Sequence, residues 1–370
     1  MKRIAQKAIL FLCAIVMLNL FQHQLISTPR FVSSRNGMIN IKMKKILNHL
    51  FENKSFSREE AKNILISITQ GEFNSSQIAA FITAYAMRNI TVDELQGFRD
   101  AMLDLGIKTD FADYELIDLC GTGGDGKDTF NISTLSSFVV AGTGHKVAKH
   151  GNYGVSSGCG SSNVMEYLGY NFTNDQSILK SNLDDAGICF LHAPLFNPAM
   201  KIVAPIRKDL GIKTFFNMLG PMVNPSQPKY QMVGVFSLEL ARLYNYLYQD
   251  TTKNYTIVHA LEGYDEISLT CDVKTFNNKG ESILTLNDMG FERVSVNEIK
   301  GGDTVESSAK IFMDVLNGEA TDVQNNVVLC NSALAIKTIK PTATFADCFY
   351  EAEESLVSKK ALESFKKLVA

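Results

Sequence analysis

Between Leu119 and Thr134 the chain reads LCGTGGDGKDTFNIST, with four glycines (Gly121, Gly123, Gly124 and Gly126) inside six positions. An apolar run, Leu116 to Cys120, precedes them and reads as a strand entering a loop. Residues without a Cβ let a backbone turn this tightly and aim several N–H groups at one anion. The polar residues Thr129, Asn131, Ser133 and Thr134 then open the next element, where free helix N–H groups and hydroxyls can hold further phosphate oxygens. Strand, glycine loop and helix start together predict a phosphate or pyrophosphate site with a metal-coordinating hydroxyl. It is not a P-loop, because the run closes on Gly126-Lys127-Asp128 instead of Lys-Ser/Thr. Gly121, Gly123 and Gly126 fit the dinucleotide spacing G-x-G-x-x-G, but no acidic strand end follows about 20 residues on.

Around this loop the sequence falls into two patterns. From Ile39 to Gly106 it is helical. Ser57 with Glu60, Asn74 with Gln77, and Thr91 with Glu94 each place a capping residue three before Glu or Gln, and these starts recur every 17 residues. Apolar stripes follow them: Ala61-Ile64-Leu65-Ile68, Ile78-Phe81-Ile82-Tyr85 and Leu95-Phe98-Met102-Leu105. From Tyr114 onward short apolar strands alternate with helical stretches. The strands expected are Leu116–Cys120, Lys146–Ala148, Cys189–Leu191, Gln231–Phe236 and Tyr255–Ala260, with helices such as Ser162–Leu168, Leu238–Leu247 and Asn325–Ile339. Val273–Phe276 and Ser282–Leu286 read as a hairpin about the turn Asn277–Gly280. The fold class expected is α/β: a small N-terminal helical domain and a larger α/β domain with a mainly parallel central sheet. Residues 38–108 would form the first, joined by helices from about 198–225. Residues 109–197 and 226–370 would form the second.

The whole chain of 370 residues has a net charge of −3 and 20% charged residues, so no strongly basic surface is implied and nucleic acid is a poor partner. Its seven cysteines are scattered, without CxxC or Cys/His metal spacing, which favours reduced thiols. Residues 1–37 stand apart. Lys2, Arg3 and Lys7 precede an apolar run from Ala8 to Leu18, which resembles a signal peptide but is short for a membrane span. No A-x-A-like site follows, and a start at Met38 or Met43, with the leader a mis-assigned extension, is the preferred reading. A cytoplasmic protein with no membrane partner is expected.

Three further constellations carry chemistry. In KHGNYGVSSGCGSS, Lys149 is a point charge for phosphate, while Asn152, Ser156, Ser157 and Ser161 supply donors. His150 reads either as a structural hydrogen-bonding residue or as a catalyst. Asp265-Glu266 after the Tyr255–Ala260 strand makes a hard-cation site or a solvated turn. In the stretch Ala204 to Pro225, Arg207 could grip a carboxylate with two donors, as Lys cannot. GTGGDG, KHGN and GYDEIS are all expected at carboxyl ends of strands, where open parallel sheets bind ligands, so they are read as one site.

In combination, GTGGDG–TFNIST, KHGN–SS, FFN–LGP–NP and DEIS, in this order from Met43 to the C-terminus, resemble the anthranilate phosphoribosyltransferases. The resemblance implies the nucleoside phosphorylase/phosphoribosyltransferase-like fold with its cleft between two domains. It implies transfer of phosphoribosyl from phosphoribosyl pyrophosphate to the amine of anthranilate, with Mg²⁺, in a homodimer. Carried over by motif, Gly121, Gly124, Asp125, Thr129, Asn131, Ile132, Ser133 and Thr134 would cradle phosphoribosyl pyrophosphate, helped by Lys149, Ser156, Ser157 and Ser161. Ser133, Asp265 and Glu266 would hold metal. Gly121, Asn152 and Arg207 would meet anthranilate, with Arg207 on its carboxylate, and His150 is the sole candidate for proton transfer. The chain departs from the family pattern at Tyr153 (for Arg), Ser162-Asn163, Asn197 and Lys213 (for Arg), none of them a metal ligand. Two rivals remain at this stage. A pyrimidine nucleoside phosphorylase would carry a KHSG-type segment where Lys149-His150-Gly151-Asn152 stands. A silent nucleic-acid-binding relative would have a basic cleft and damaged metal ligands.

Overall fold

The computed structural model describes residues 42–154 and 159–370. The expectations for residues 1–37, for a start at Met38 and for Ser156 and Ser157 lie outside the described residues.

Four helices come first: α1 (Met43–Phe51), α2 (Arg58–Thr69), α3 (Ser75–Ala86) and α4 (Val92–Leu105). Ser57, Asn74 and Thr91 each close a reciprocal capping box with Glu60, Gln77 and Glu94, as the spacing predicts. Each cap stabilises its helix by about 1 kcal/mol. The apolar stripes behind the caps are buried, with Ala61, Leu65, Phe81, Leu95 and Phe98 wholly enclosed.

The second part runs β1 (Leu116–Gly121), α5 (Ile132–Gly142), β2 (Lys146–Gly151), α6 (Ser161–Tyr167), α7 (Gln176–Ala186), β3 (Ile188–His192), α8 (Ala193–Phe196), α9 (Val203–Leu210) and α10 (Phe216–Leu219). It continues through β4 (Tyr230–Gly234), α11 (Leu238–Gln249), β5 (Asn254–Ala260), β6 (Val273–Asn277), β7 (Gly280–Leu284) and α12 (Leu286–Met289). Four helices close the chain: α13 (Val305–Asn317), α14 (Asp322–Ile339), α15 (Phe345–Val357) and α16 (Lys360–Val369). The seven strands lie in the order β3-β2-β1-β4-β5-β6-β7. The pairs from β3 to β5 are parallel, and β6 and β7 are antiparallel.

Alternation along each strand sends neighbours to opposite faces. Met232 and Val258 join the core under α5 and α14, while Val233 and Ile257 join the core shared with the helical part. That second core also takes Val203, Ile206, Phe215 and Phe216, so α9 and α10 pack with α1–α4 although they are distant in sequence.

Three expectations shift. β2 runs on to Gly151, because Lys149, His150 and Gly151 pair with Phe190, Leu191 and His192 of β3. KHG therefore belongs to a buried strand and not to the loop after it. The hairpin turn is shorter, with Asn277 pairing Gly280 directly. Helices α7, α13, α15 and α16 were not anticipated. Thr304 and Thr344 cap α13 and α15, but their partners three residues on are Ser307 and Asp347 rather than Glu or Gln.

Candidate active site

Chain order reverses between β1 and β4: strands β2 and β3 are added on one side of β1, β4 and β5 on the other. A crevice opens at the carboxyl ends of strands at such a switch point. Here it is a cavity of about 310 Å³, lined by the glycine loop, the end of β2, the start of α5, Arg207, the Phe216–Pro221 region, Asp265 and Glu266.

Close backbone approach builds its floor. A Cβ on Gly234 would lie 1.4 Å from the Asp265 carbonyl oxygen, and one on Gly121 would lie 2.4 Å from Asp265 Oδ2. Two bare strand ends thus let the segment after β5 cross over them. The Gly123 N–H donates to Asp265 Oδ2 at 2.9 Å, and the Ser133 N–H at the start of α5 donates to Glu266 Oε1 at 2.9 Å. Burial, with Asp125 close by, pushes Asp265 up to about 7. Burial, Asp265 and Asp125 together push Glu266 well above the usual carboxylate range. Among the described residues no Lys or Arg forms an ion pair with these carboxylates. Two crowded carboxylates, Asp265 buried and Glu266 half-buried, beside open space that Ser133 also lines, fit a hard divalent ion completed by phosphate oxygens and water. Among the described residues no three His, Cys, Asp or Glu side chains surround one point, so the protein alone offers a partial shell.

Polar and glycine residues make up much of the remaining wall. Gly121, Gly124, Asp125, Thr129, Asn131, Ser133, Thr134, Asn152 and Ser161 all line the cavity. Ile132 does not: its side chain is wholly buried in the core, and its N–H donates to the Phe130 carbonyl. Lys149 lines the cavity as expected, but it is not a solvent-exposed point charge. It is 2% exposed, and its Nζ donates to the Leu119 carbonyl at 2.7 Å, bracing β1 from inside the sheet. Desolvation holds its pKa below the ordinary lysine value.

His150 is fixed at both ends. Its backbone N–H donates to Asp118 Oδ1 at 3.1 Å, and its Nδ1 lies 3.0 Å from the Gly220 carbonyl. A carbonyl accepts only, so Nδ1 carries the proton and Nε2 is the acceptor. Burial lowers its pKa, which keeps the ring neutral. Among the described residues Nε2 is buried without a partner, as is the hydroxyl of Thr122, a cavity residue that sequence reasoning passed over. Arg207 stands on α9, with Nη2 3.3 Å from Asn217 Oδ1 and its guanidinium 5.3 Å from the Phe216 ring centre. Among the described residues it forms no ion pair, which leaves its fork for a carboxylate. Phe216, Asn217, Gly220 and Pro221 also line the site. They fall in the string FFN–LGP, which the resemblance marked without giving its residues roles. Tyr153 turns its hydroxyl to Glu166 at 3.2 Å and its ring edge to His192.

Residues 44–106 match the helical bundle domain of the glycosyl transferase family, and residues 113–362 match its a/b domain. Fold and site thus define a glycosyltransferase. An anthranilate phosphoribosyltransferase of Flavobacterium psychrophilum is 60% identical over 326 residues, which cover 88% of this chain and 98% of that one. The crystal structure of the Thermus thermophilus anthranilate phosphoribosyltransferase superposes with a TM-score of 0.80 at 29% identity, covering 87% of this chain and 98% of that one. The Saccharomyces cerevisiae enzyme in complex with phosphoribosyl pyrophosphate and Mg gives 0.82 at 26% identity, covering 88% and 96%. The chain belongs to the anthranilate phosphoribosyltransferases, the enzymes of tryptophan biosynthesis that join phosphoribosyl to anthranilate and release pyrophosphate.

Proposed function

We propose that the cavity at the β1–β4 switch point carries out this transfer with the following division of labour. The glycine loop with Asp125, Thr129, Asn131, Ser133 and Thr134 cradles phosphoribosyl pyrophosphate, with Ser161 beside it. Ser133, Asp265 and Glu266 hold Mg²⁺, which would neutralise charge growing on the leaving pyrophosphate. Arg207 takes the carboxylate of anthranilate, with Asn152 and Gly121 against its ring. The aryl amine is neutral near pH 7 and attacks the anomeric carbon directly, so the protein chiefly positions and stabilises. His150 Nε2, neutral and without a partner among the described residues, accepts the amine proton, and Lys149 acts from beside β1 by holding it. The observation that carries this reading is one cavity lined both by the Arg207 guanidinium and by the Asp265 and Glu266 carboxylates, none of which has an ion-pair partner among the described residues.

Of the smaller domain expected at 38–108 and 198–225, residues 42–108 with 198–225 form it in this reading, supported by the core they share. The assembly is a homodimer, for which exposed Phe51 and Met87 of the helical part supply apolar surface. A cytoplasmic location accords with the six cysteines among the described residues, all free. No helix among the described residues is long and apolar enough to cross a membrane.

The test is loss of anthranilate fluorescence on mixing protein, phosphoribosyl pyrophosphate and Mg²⁺. Arg207→Ala is expected to raise the KM for anthranilate by about 100-fold, the weight of a bidentate charge-assisted pair. An unchanged anthranilate KM in this variant would remove Arg207 from the acceptor site.

A further inference from the structure

Lys213 belongs to neither carboxylate group nor cavity lining, yet it spans the two substrate sides. It follows α9, the helix that carries Arg207, after Gly211 has turned the chain in the left-handed conformation (φ 60°). Its Nζ donates to the Gly124 carbonyl oxygen in the glycine loop. Its ammonium lies 5.0 Å from the Phe236 ring centre, and its Cε lies 3.4 Å from where a Cβ on Gly124 would stand. Among the described residues no carboxylate pairs with it. The charge is held by a peptide dipole and a ring face.

That contact fixes a peptide plane. A trans peptide sets its C=O and N–H in opposite directions. With the Gly124 carbonyl drawn to Lys213, the N–H of Asp125 is aimed away from it. Gly124 itself is left-handed (φ 77°), a conformation with nothing else in its own side chain to hold it. Next to Lys213, the Thr214 N–H donates to Asn217 Oδ1 at 3.0 Å, and the same oxygen accepts from Arg207 Nη2. One hydrogen-bonded path therefore runs from Arg207 through Asn217 and the 213–214 backbone to the glycine loop.

We infer that Lys213 is a positioning residue that sets the Gly124–Asp125 peptide for phosphoribosyl pyrophosphate and couples that loop to Arg207. The inference rests on the glycine loop being the phosphoribosyl pyrophosphate cradle. Without the ammonium, the loop samples other peptide orientations and must be ordered by the ligand itself. The weakening falls on phosphoribosyl pyrophosphate and on the link between the two ligands, while the reacting groups stay in place.

Steady-state kinetics of the full chain with Lys213→Met, which keeps the stem and loses the donor, test this. Loss of one charge-assisted hydrogen bond is expected to raise the KM for phosphoribosyl pyrophosphate about tenfold, with kcat at saturation within about threefold. Lys213→Arg is expected to restore the KM, which a general loss of structure would not allow. In anthranilate titrations read by fluorescence, pyrophosphate and Mg²⁺ are expected to tighten binding to the wild type but not to Lys213→Met. A phosphoribosyl pyrophosphate KM within twofold of wild type in Lys213→Met overturns the inference, as does failure of arginine to rescue. Asp125→Ala separates the two levels. If it too leaves that KM unchanged, the cradle assignment fails; if it raises the KM and Lys213→Met does not, only the role of Lys213 fails.

Discussion

His192 shows how burial turns a single side chain into a pH-dependent support. It closes β3, with Ser162 Oγ 2.9 Å from its Nδ1 and the Phe172 ring stacked on it at 4.3 Å. Desolvation lowers its pKa from 6.5 to about 4. The folded state therefore favours the neutral ring. Its contribution is complete above pH 6.5 and disappears as pH falls from 6.5 through 4. Chemical denaturation at pH 7.5 and 4.5 is expected to show His192→Phe losing less stability over this range than wild type, by on the order of 2 kcal/mol. An equal loss in both proteins would place the acid sensitivity elsewhere. The same burial acts with opposite sign on Asp265 and Glu266, where it favours the protonated acids until a cation compensates them. Residue types at this scale were legible in the sequence: Ser133, Asp265, Glu266 and Arg207 all reach the cavity as expected. Their protonation was not, because desolvation depends on what the fold places around them.

Strands and loops place these residues, and the least forgiving junction is the end of β4. Gly234 pairs with Gly121 across β1 and β4, and the chain after β5 lies directly against it. Gly234→Ala would put a methyl group 1.4 Å from the Asp265 carbonyl oxygen, so the segment must move. We expect a loss of at least about 3 kcal/mol of stability, or a folded protein with activity reduced beyond detection, by thermal melting and the fluorescence assay. A variant with wild-type melting and turnover would show that this segment is free to shift. The capped helices were legible because a cap and its partner are neighbours in sequence. The end of β2 was not, since Lys149 and His150 join the strand through pairing with β3, some 40 residues on.

On the scale of the whole molecule, the helical part and the α/β part are not separable blocks. Phe215 stacks on Phe98 at 4.6 Å and lies 5.2 Å from the Tyr85 ring, so a residue beyond β3 sits in the centre of the helical core. Val203, Ile206 and Phe216 enclose the same core. A fragment of residues 42–108 is therefore expected to lack fixed packing, with collapsed amide dispersion in NMR, while a fragment joined through a short linker to residues 198–225 gains it. Dispersed resonances from the short fragment would contradict this. The segment that completes the helical core also carries Arg207, so in the function proposed above the acceptor's carboxylate would be held from the helical side and the phosphates from the carboxyl ends of the strands.

What the sequence determined by itself is local. Helix starts, the glycine loop, the strand–helix alternation and the ordered motif strings depend on residues close together in the chain, and they sufficed for the fold class and the family. The tertiary structure alone decided three things: that Lys149 braces β1 from within, that His150 presents an unprotonated Nε2, and that Lys213 meets Gly124. Each depends on partners 30 or more residues away, Leu119, Gly220 and Gly124 respectively. A contact of that kind has no periodicity or spacing to betray it, because it exists only after β1, β2 and the α9–α10 segment have been packed around one crevice.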